Sequence, residues 1–293
     1  MKYAFIQEER RRYPLTVLCR VLQVSRSGYY AFLHRAPAVL DTGTVGQVRR
    51  LHLASRRTYG QRGLRLALRA EGLCVGRWRT RTLMRQVGVS VEGTHPWKPP
   101  TTDSAHAWPI APNRLNRQFT VSAPNRVWGS DLTCLPTQEG WLYLAVVVDL
   151  FSRKIVSWAM AGTLETALVV KVLRMAIGRR QPPPGLLHHS DRRSQYASVT
   201  YKALLRHHQM IGSMSRRGNC WDNAVVERVL RSVKHEGLDP TTKTQIIEAT
   251  VIDYVEMFYN SQRLHTTLGY QSPNAFEARG QEGAPGRRRI EGG

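Results

Sequence analysis

The chain has 293 residues, 42% of them hydrophobic, and a net charge of +22 at neutral pH. That length predicts two or three folded units, and the apolar fraction suffices for a real core. The charge is lopsided: residues 1–126 hold 22 Lys and Arg against 6 Asp and Glu, whereas 127–293 hold 21 against 15. A basic half of this kind suits a polyanion partner, because each phosphate neutralised releases condensed counterions. Codon bias accounts for 36 Arg against 7 Lys, but it leaves the scarcity of acids unexplained. Cys19, Cys74, Cys134 and Cys220 form no CxxC pair, which argues against a disulfide framework or zinc finger and for a reducing cytoplasm. His188-His189 and His207-His208 lie far from any Cys pair and read as surface or packing residues. The longest apolar run, 142–148, is too short to cross a bilayer, so a soluble cytoplasmic protein is expected.

The first segment, 1–43, carries two short helices over about 13–35. Pro14 suits a helix start, Leu15, Leu18, Val21 and Leu22 make an apolar stripe, and Ser25 can cap a second helix holding Arg26 and Tyr29. This is a helix-turn-helix pattern whose second helix could lie in a major groove, with Arg26 and Tyr29 as DNA contacts. The second segment, 44–90, repeats the theme. Glu71-Gly72 stops one helix, and Arg77, Arg79, Arg81 and Arg85 make the next strongly basic, which favours phosphate contact over a plain solvated face. Segment 91–126 holds six prolines and is expected to be an extended linker.

From Val127 the periodicity changes. Runs 127–135, 141–149 and 154–161 read as strands, the middle one apolar on both faces and therefore buried on both. Helix 166–179, strand 186–190, helix 199–209, strand 211–214 and helix 222–236 follow, and 241–293 adds a helix over 244–260 and a basic tail. Three antiparallel strands and then helix–strand–helix–strand–helix is the order of a ribonuclease-H-like α/β core over 127–240: a five-stranded mixed sheet with flanking helices, preceded by an all-α region.

Three acids stand where acids are otherwise unwelcome. Asp131 falls inside the first strand, Asp191 directly follows a short one, and Glu227 lies on the helix over 222–236. Buried carboxylates are costly unless something positive sits between them, and an all-oxygen set suits Mg²⁺ or Mn²⁺. On the helix, Val226, Val229, Leu230 and Val233 form one stripe; Glu227, Arg231 and Lys234 form another, rotated roughly 115° from it. Taken alone, that second stripe equally describes a surface ion pair. Asp149 reads as turn chemistry and Asp222 as a cap for the helix, while Glu236 has the wrong spacing. Trp128, Trp141, Trp158 and Trp221 read as core, and Tyr259, Arg263 and His265 as either tail packing or DNA contact.

Asp191 and Glu227 are separated by 35 residues, and the text between and around them reads HSDRRSQYAS and SRRGNCWDNAVVERVLRSVKHE. With VWGSDLTCLP around Asp131, YGQRGLRLALRAEGL before it and YNSQRLHTTLGYQSP after, nearly the whole chain resembles a bacterial insertion-sequence transposase of the retroviral-integrase-like group. It is most similar to the second, catalytic reading frame of elements whose active enzyme joins two frames. The resemblance implies that Asp131, Asp191 and Glu227 hold two Mg²⁺ or Mn²⁺ ions, that Arg231 and Lys234 face DNA, and that the chain cuts and joins element ends as a dimer or larger homo-oligomer. Arg193 departs from the family's SDRGSQY pattern, which has glycine there; an arginine so placed could add a phosphate contact or crowd the loop. Two other readings stay open: a non-catalytic DNA-binding regulator derived from such a frame, and a nuclease of ribonuclease-H type that hydrolyses without joining.

Overall fold

A computed structural model describes residues 2–34, 42–90, 106–236 and 243–282. The chain divides into two compact units, Met1–Leu53 with Leu64–Val89, and Ala54–Gly63 with Ser90–Gly293.

The first unit is helical. Helices α1 (Lys2–Glu9), α2 (Leu15–Val21) and α3 (Arg26–Leu33) close around Ile6, Leu18, Cys19 and Tyr29. The predicted two-helix motif is present, with a first helix the periodicity did not show. Ser25 caps α3 by accepting a hydrogen bond from the Gly28 amide at 3.0 Å. Helices α4 (Thr42–Ala54), α5 (Gln61–Ala70) and α6 (Arg77–Val87) follow, with Val48, Leu64, Leu68 and Leu83 buried. Gly88, at φ 69°, ends α6 in the left-handed conformation, which glycine adopts without a side-chain penalty.

The second unit is built on strands β1 (Val127–Thr137), β2 (Gly140–Asp149), β3 (Ile155–Ala161), β4 (Leu187–Ser190) and β5 (Ile211–Met214). They form one sheet in the order β3-β2-β1-β4-β5, with β2 antiparallel to both β1 and β3, and β4 parallel to β1 and β5. One face packs against α7 (Thr166–Arg180), α8 (Ser194–Ala197) and α9 (Val199–His207) through Trp128, Leu132, Ala145 and Val147. The other packs Leu135, Leu142, Leu144, Val146 and Val148 against α10 (Ala224–His235) and α11 (Thr244–Asp253). Alternate β2 residues thus enter opposite cores, as the doubly apolar pattern requires. A π-helical turn, Tyr254–Tyr259, continues α11, and α12 (Pro273–Glu282) ends the described chain. Asn260 lies against the outer strand: its Oδ1 accepts from the Ile155 amide at 2.9 Å and its Nδ2 donates to the Ile155 carbonyl at 3.0 Å.

The expected linker is corrected over 106–126, while 91–105 lie outside the described residues. The backbone is extended, as the prolines dictate, but it is bound to the sheet domain. Leu115 is buried, and the amides of Arg114 and Leu115 donate to Ser213 Oγ. Asn113 and Arg117 both donate to the Asp222 carboxylate, which also takes Arg216. Asp222 is therefore no helix cap. Its carboxylate ties the strap to the loop before α10, a role invisible in local spacing. Asn219 instead caps the short 3-10 turn Cys220–Asn223 that leads into α10, accepting from the Trp221 amide at 3.2 Å, and Asn223 at the start of α10 makes no side-chain cap bond.

Candidate active site

The sheet fixes two acids directly. Ser130 on β1 is paired with Ser190 on β4, so Asp131 and Asp191 each stand one step further along adjacent parallel strands. Such strands run about 4.8 Å apart. Asp131 is 8% exposed, and its Oδ1 accepts from the Leu132 amide at 2.7 Å. Burial, then the charge of Asp191, pushes the Asp131 carboxyl up to about 7. Burial raises Asp191 as well, opposed by Arg193. These two like charges are held together away from water, which calls for a cation between or beside them.

Glycine brings the third acid close. Gly129 lies two residues before Asp131 on the same face of β1, and a Cβ there would meet Val226 Cγ2 at 2.4 Å. Only glycine lets α10 seat so near the strand. Asn223 adds a bond from its Nδ2 to the Ser130 carbonyl at 3.2 Å. The stripe Val226, Val229, Leu230 and Val233 is buried as predicted, and Glu227 is left exposed at the rim. Burial and then the Asp191 charge raise the Glu227 carboxyl, and Glu227 in turn raises Asp131, after burial and the Asp191 charge. Lys234, two turns on, is half-buried within reach of the Asp131 charge, and Arg231 is exposed. Among the described residues, no three His, Cys, Asp or Glu side chains close up as a metal-holding cluster.

Arg193 is the cation that is present. Its Nε lies 2.8 Å from Asp191 Oδ2, its amide donates to Asp191 Oδ1 at 3.1 Å, and its side chain is 8% exposed. Burial works against its charge, but Asp191 and Asp131 outweigh that and hold it firmly protonated. Of the two expectations for Arg193, a phosphate contact or crowding of the loop, this conformation has the guanidinium buried on Asp191 with little surface open to solvent.

The remaining expectations divide. Arg26, Arg77, Arg79, Arg81 and Arg85 are exposed in the helical unit. Tyr29 is corrected: it is fully buried in the α1–α3 core, its hydroxyl accepting from Arg10 Nη1 at 3.5 Å, and it has no surface to offer DNA. Trp128 is core, whereas Trp141 and Trp221 are 45% and 67% exposed, against expectation. Asp149 is a turn residue, accepting from the Asn125 and Phe151 amides at 2.7 and 2.9 Å. Glu236 is structural, paired with Arg263 and accepting from the Tyr254 hydroxyl. Tyr259 is buried and donates to the Arg153 carbonyl at 3.1 Å. His188 and His189 are buried packing residues, bonded to Ser130, Ser213 and Ser215. Gly129 and Asn223 were missed; the one available signal was a glycine inside a strand two residues from an acid.

A mixed sheet in this order, with one acid inside the central strand, a second just past the end of the adjacent parallel strand and a third on the helix across them, defines a ribonuclease-H-like polynucleotidyl transferase. The integrase core domain family matches residues 121–220, and a second integrase core family matches 208–273. An insertion element IS600 protein of Shigella sonnei is 40% identical over 88% of this chain and 97% of its own length. The transposase InsF of insertion sequence IS3A from Escherichia coli K12 is 36% identical over 94% of this chain and 98% of its own. The chain belongs to this integrase-like family of bacterial insertion-sequence transposases. Among solved structures, a chain of the simian T-cell lymphotropic virus intasome complex overlaps 84% of this chain and 78% of its own, at 16% identity and a TM-score of 0.47. Among the described residues no helix is long and apolar enough to cross a membrane.

Proposed function

We propose that the chain cleaves and joins the ends of its own mobile element by phosphoryl transfer, using Asp131, Asp191 and Glu227 to hold two Mg²⁺ or Mn²⁺ ions. The observation that supports this reading is that buried Asp131, inside β1, and Asp191, directly after β4, each follow the paired residues Ser130 and Ser190 on neighbouring parallel strands, beside the helix that bears Glu227. An all-carboxylate set suits hard divalent cations, and the raised Asp131 and Asp191 carboxyls are what a cation would relieve. Once bound, such ions activate the attacking hydroxyl and stabilise the leaving oxygen. The chain's own share would be placement: β1 and the residue directly after β4 would carry two ligands, and Gly129 lets α10, which would carry the third, lie close to β1. Lys234 and Arg231, further along that helix, are set to steer the DNA backbone toward the acids. In the helical unit, Arg26 and the exposed Arg77, Arg79, Arg81 and Arg85 supply phosphate contacts that place the element end. Two ends must be held together, so a dimer or larger assembly on DNA is part of the proposal, as is action in the bacterial cytoplasm.

Incubation of the full chain with labelled element ends and Mg²⁺ separates the readings. A strand-joined product supports transposition, cleavage without joining points to a simple nuclease, and binding without turnover points to a regulator. Asp191→Asn should lower joining by about a thousandfold or more, the scale lost when a group acting mainly in the transition state is removed, and leave DNA binding within a few-fold. Joining that survives in the variant would reject the assignment.

A further inference from the structure

The sheet domain contains a second basic recess that the acids do not use. A cavity of about 270 Å³ opens along α10 on the flank of its buried stripe, where Val225, Arg228, Val229 and Ser232 line it. Arg153 enters from the turn between β2 and β3, Arg228 and Ser232 from α10, and Arg263, His265 and Thr267 from the segment after the π-helical turn. The charge balance is uneven. Arg263 is neutralised by Glu236, but among the described residues neither Arg153 nor Arg228 has a carboxylate within ion-pair distance. Arg153 spends Nη2 on the Phe119 carbonyl at 3.0 Å, while its Nη1 is buried with no hydrogen-bond partner among the described residues. His265 Nε2 is likewise buried and unmatched. Burial and then the charges of Arg263, Arg153 and Arg228 drive the His265 imidazole down to about 3, so it is neutral, with one ring N–H that a phosphate oxygen at Nε2 would hold on that nitrogen. Buried donors without acceptors cost of the order of 1–3 kcal/mol each, and are native chiefly where something else supplies the acceptor.

We propose that this recess is a phosphate-binding site, in which Arg153 Nη1, the Arg228 guanidinium and His265 Nε2 converge on the oxygens of one phosphate group. The oxygens supply the acceptors that the two buried nitrogens lack, and the charge offsets guanidiniums left without an acid. The cavity is smaller than the ~300 Å³ at which small-molecule pockets begin, so it takes a phosphate and little besides. That phosphate is either a link in a nucleic-acid backbone or the free ion. The site stands on residues distinct from the three acids and does not depend on the metal reading.

Arginine-directed labelling of the full chain with phenylglyoxal, read by peptide mass spectrometry, tests it. Arg228 and Arg174 are both exposed, Arg174 on α7 and outside the cavity, so it serves as the internal control. With a dissociation constant near ~1 mM, typical of a small anion on a few charge-assisted bonds, about 10 mM inorganic phosphate should slow labelling of Arg228 about tenfold and leave Arg174 unchanged. Phosphate should also raise the melting temperature of the wild type and not of Arg228→Ala. If the source is a nucleic-acid backbone, a short duplex at micromolar concentration also protects Arg228, and Arg228→Ala weakens duplex binding. If it is the free ion, the duplex leaves Arg228 labelling unchanged. Either pattern supports the site; labelling of Arg228 that neither phosphate nor duplex slows overturns it.

Discussion

At Arg193, a single side chain decides how the acids behave before any cation arrives. Its guanidinium sits on Asp191 and within the field of Asp131, so it neutralises a pair that burial would otherwise make costly. On the proposed metal reading, a tethered charge of this kind would compete with a divalent ion for the same oxygens. Arg193→Ala, at a backbone conformation (φ −64°, ψ 149°) that any residue adopts, should strengthen Mn²⁺ binding roughly tenfold, equivalent to ~1.4 kcal/mol, and lower the metal-free melting temperature. Mn²⁺ titration followed by electron paramagnetic resonance checks the first part, and a melting curve with and without Mn²⁺ checks the second. Weaker Mn²⁺ binding in the variant would mean that the guanidinium supports the site and does not compete for it. Asp131 and Asp191 were legible in the sequence because acids inside and after apolar strands contradict their surroundings. The burial of Arg193 was not, because an arginine beside an acid in a loop reads equally well as solvent-exposed. Tyr29 shows the same limit: in an eight-residue helix, which of two aromatic neighbours turns inward depends on what packs there, and α1 does that packing.

Among the elements, α10 carries most of the consequence. Its apolar stripe was plain from the i, i+3, i+4, i+7 spacing, and the structure buries those four residues. The closeness of its approach was not plain, since that depends on a missing side chain on another element. Gly129→Ala would place a methyl 2.4 Å from Val226 Cγ2 and 3.0 Å from Leu150 Cδ1. Both neighbours belong to the packed core, so the helix must shift, at ~1–3 kcal/mol for an overpacked site. The predicted result is a fall of about 2–9 °C in melting temperature, together with a loss of joining larger than that loss of folded protein explains. Activity scaled to folded fraction, measured at a temperature where both proteins are native, distinguishes the two. The segment over 106–126 was read only as an extended linker, and its attachment to the sheet domain was not legible, for a related reason. Proline density specifies extended backbone, but whether extended backbone lies on a domain depends on partners such as Ser213 and Asp222 about a hundred residues away.

The molecule as a whole combines ionisable groups that pull stability in opposite directions. Burial holds His188 down to about 3 and His189 down to about 4, so across pH 4–6.5 the unfolded chain takes protons that the folded one refuses. Their contribution is present above 6.5 and is lost as pH falls. Asp131, pushed up to about 7, acts with the opposite sign: between its ordinary 3.8 and about 7 the folded chain keeps a proton that the unfolded chain releases, so stability drops as pH rises. A bare melting curve against pH therefore mixes the two. The difference between wild type and His188→Gln isolates one of them: from pH 7 down to pH 5 the wild type should lose more melting temperature than the variant. Parallel curves would show that His188 takes up protons in the folded state. The five strands in chain order and both apolar faces of β2 were readable from alternation and turn signals, whereas the spatial order β3-β2-β1-β4-β5 was not, because it depends on pairings between strands far apart in the chain; nor was the grouping of residues 54–63 with the sheet domain.

Asn260, noted above for its two bonds to Ile155, has a consequence for how copies of the chain can meet. An outermost strand normally offers its unpaired amides and carbonyls to any passing strand, and many proteins join that way. Here one side chain already occupies both groups of Ile155. A neighbouring copy would have to evict it to lengthen the sheet at Ile155, so this stretch of the β3 edge is closed to strand addition.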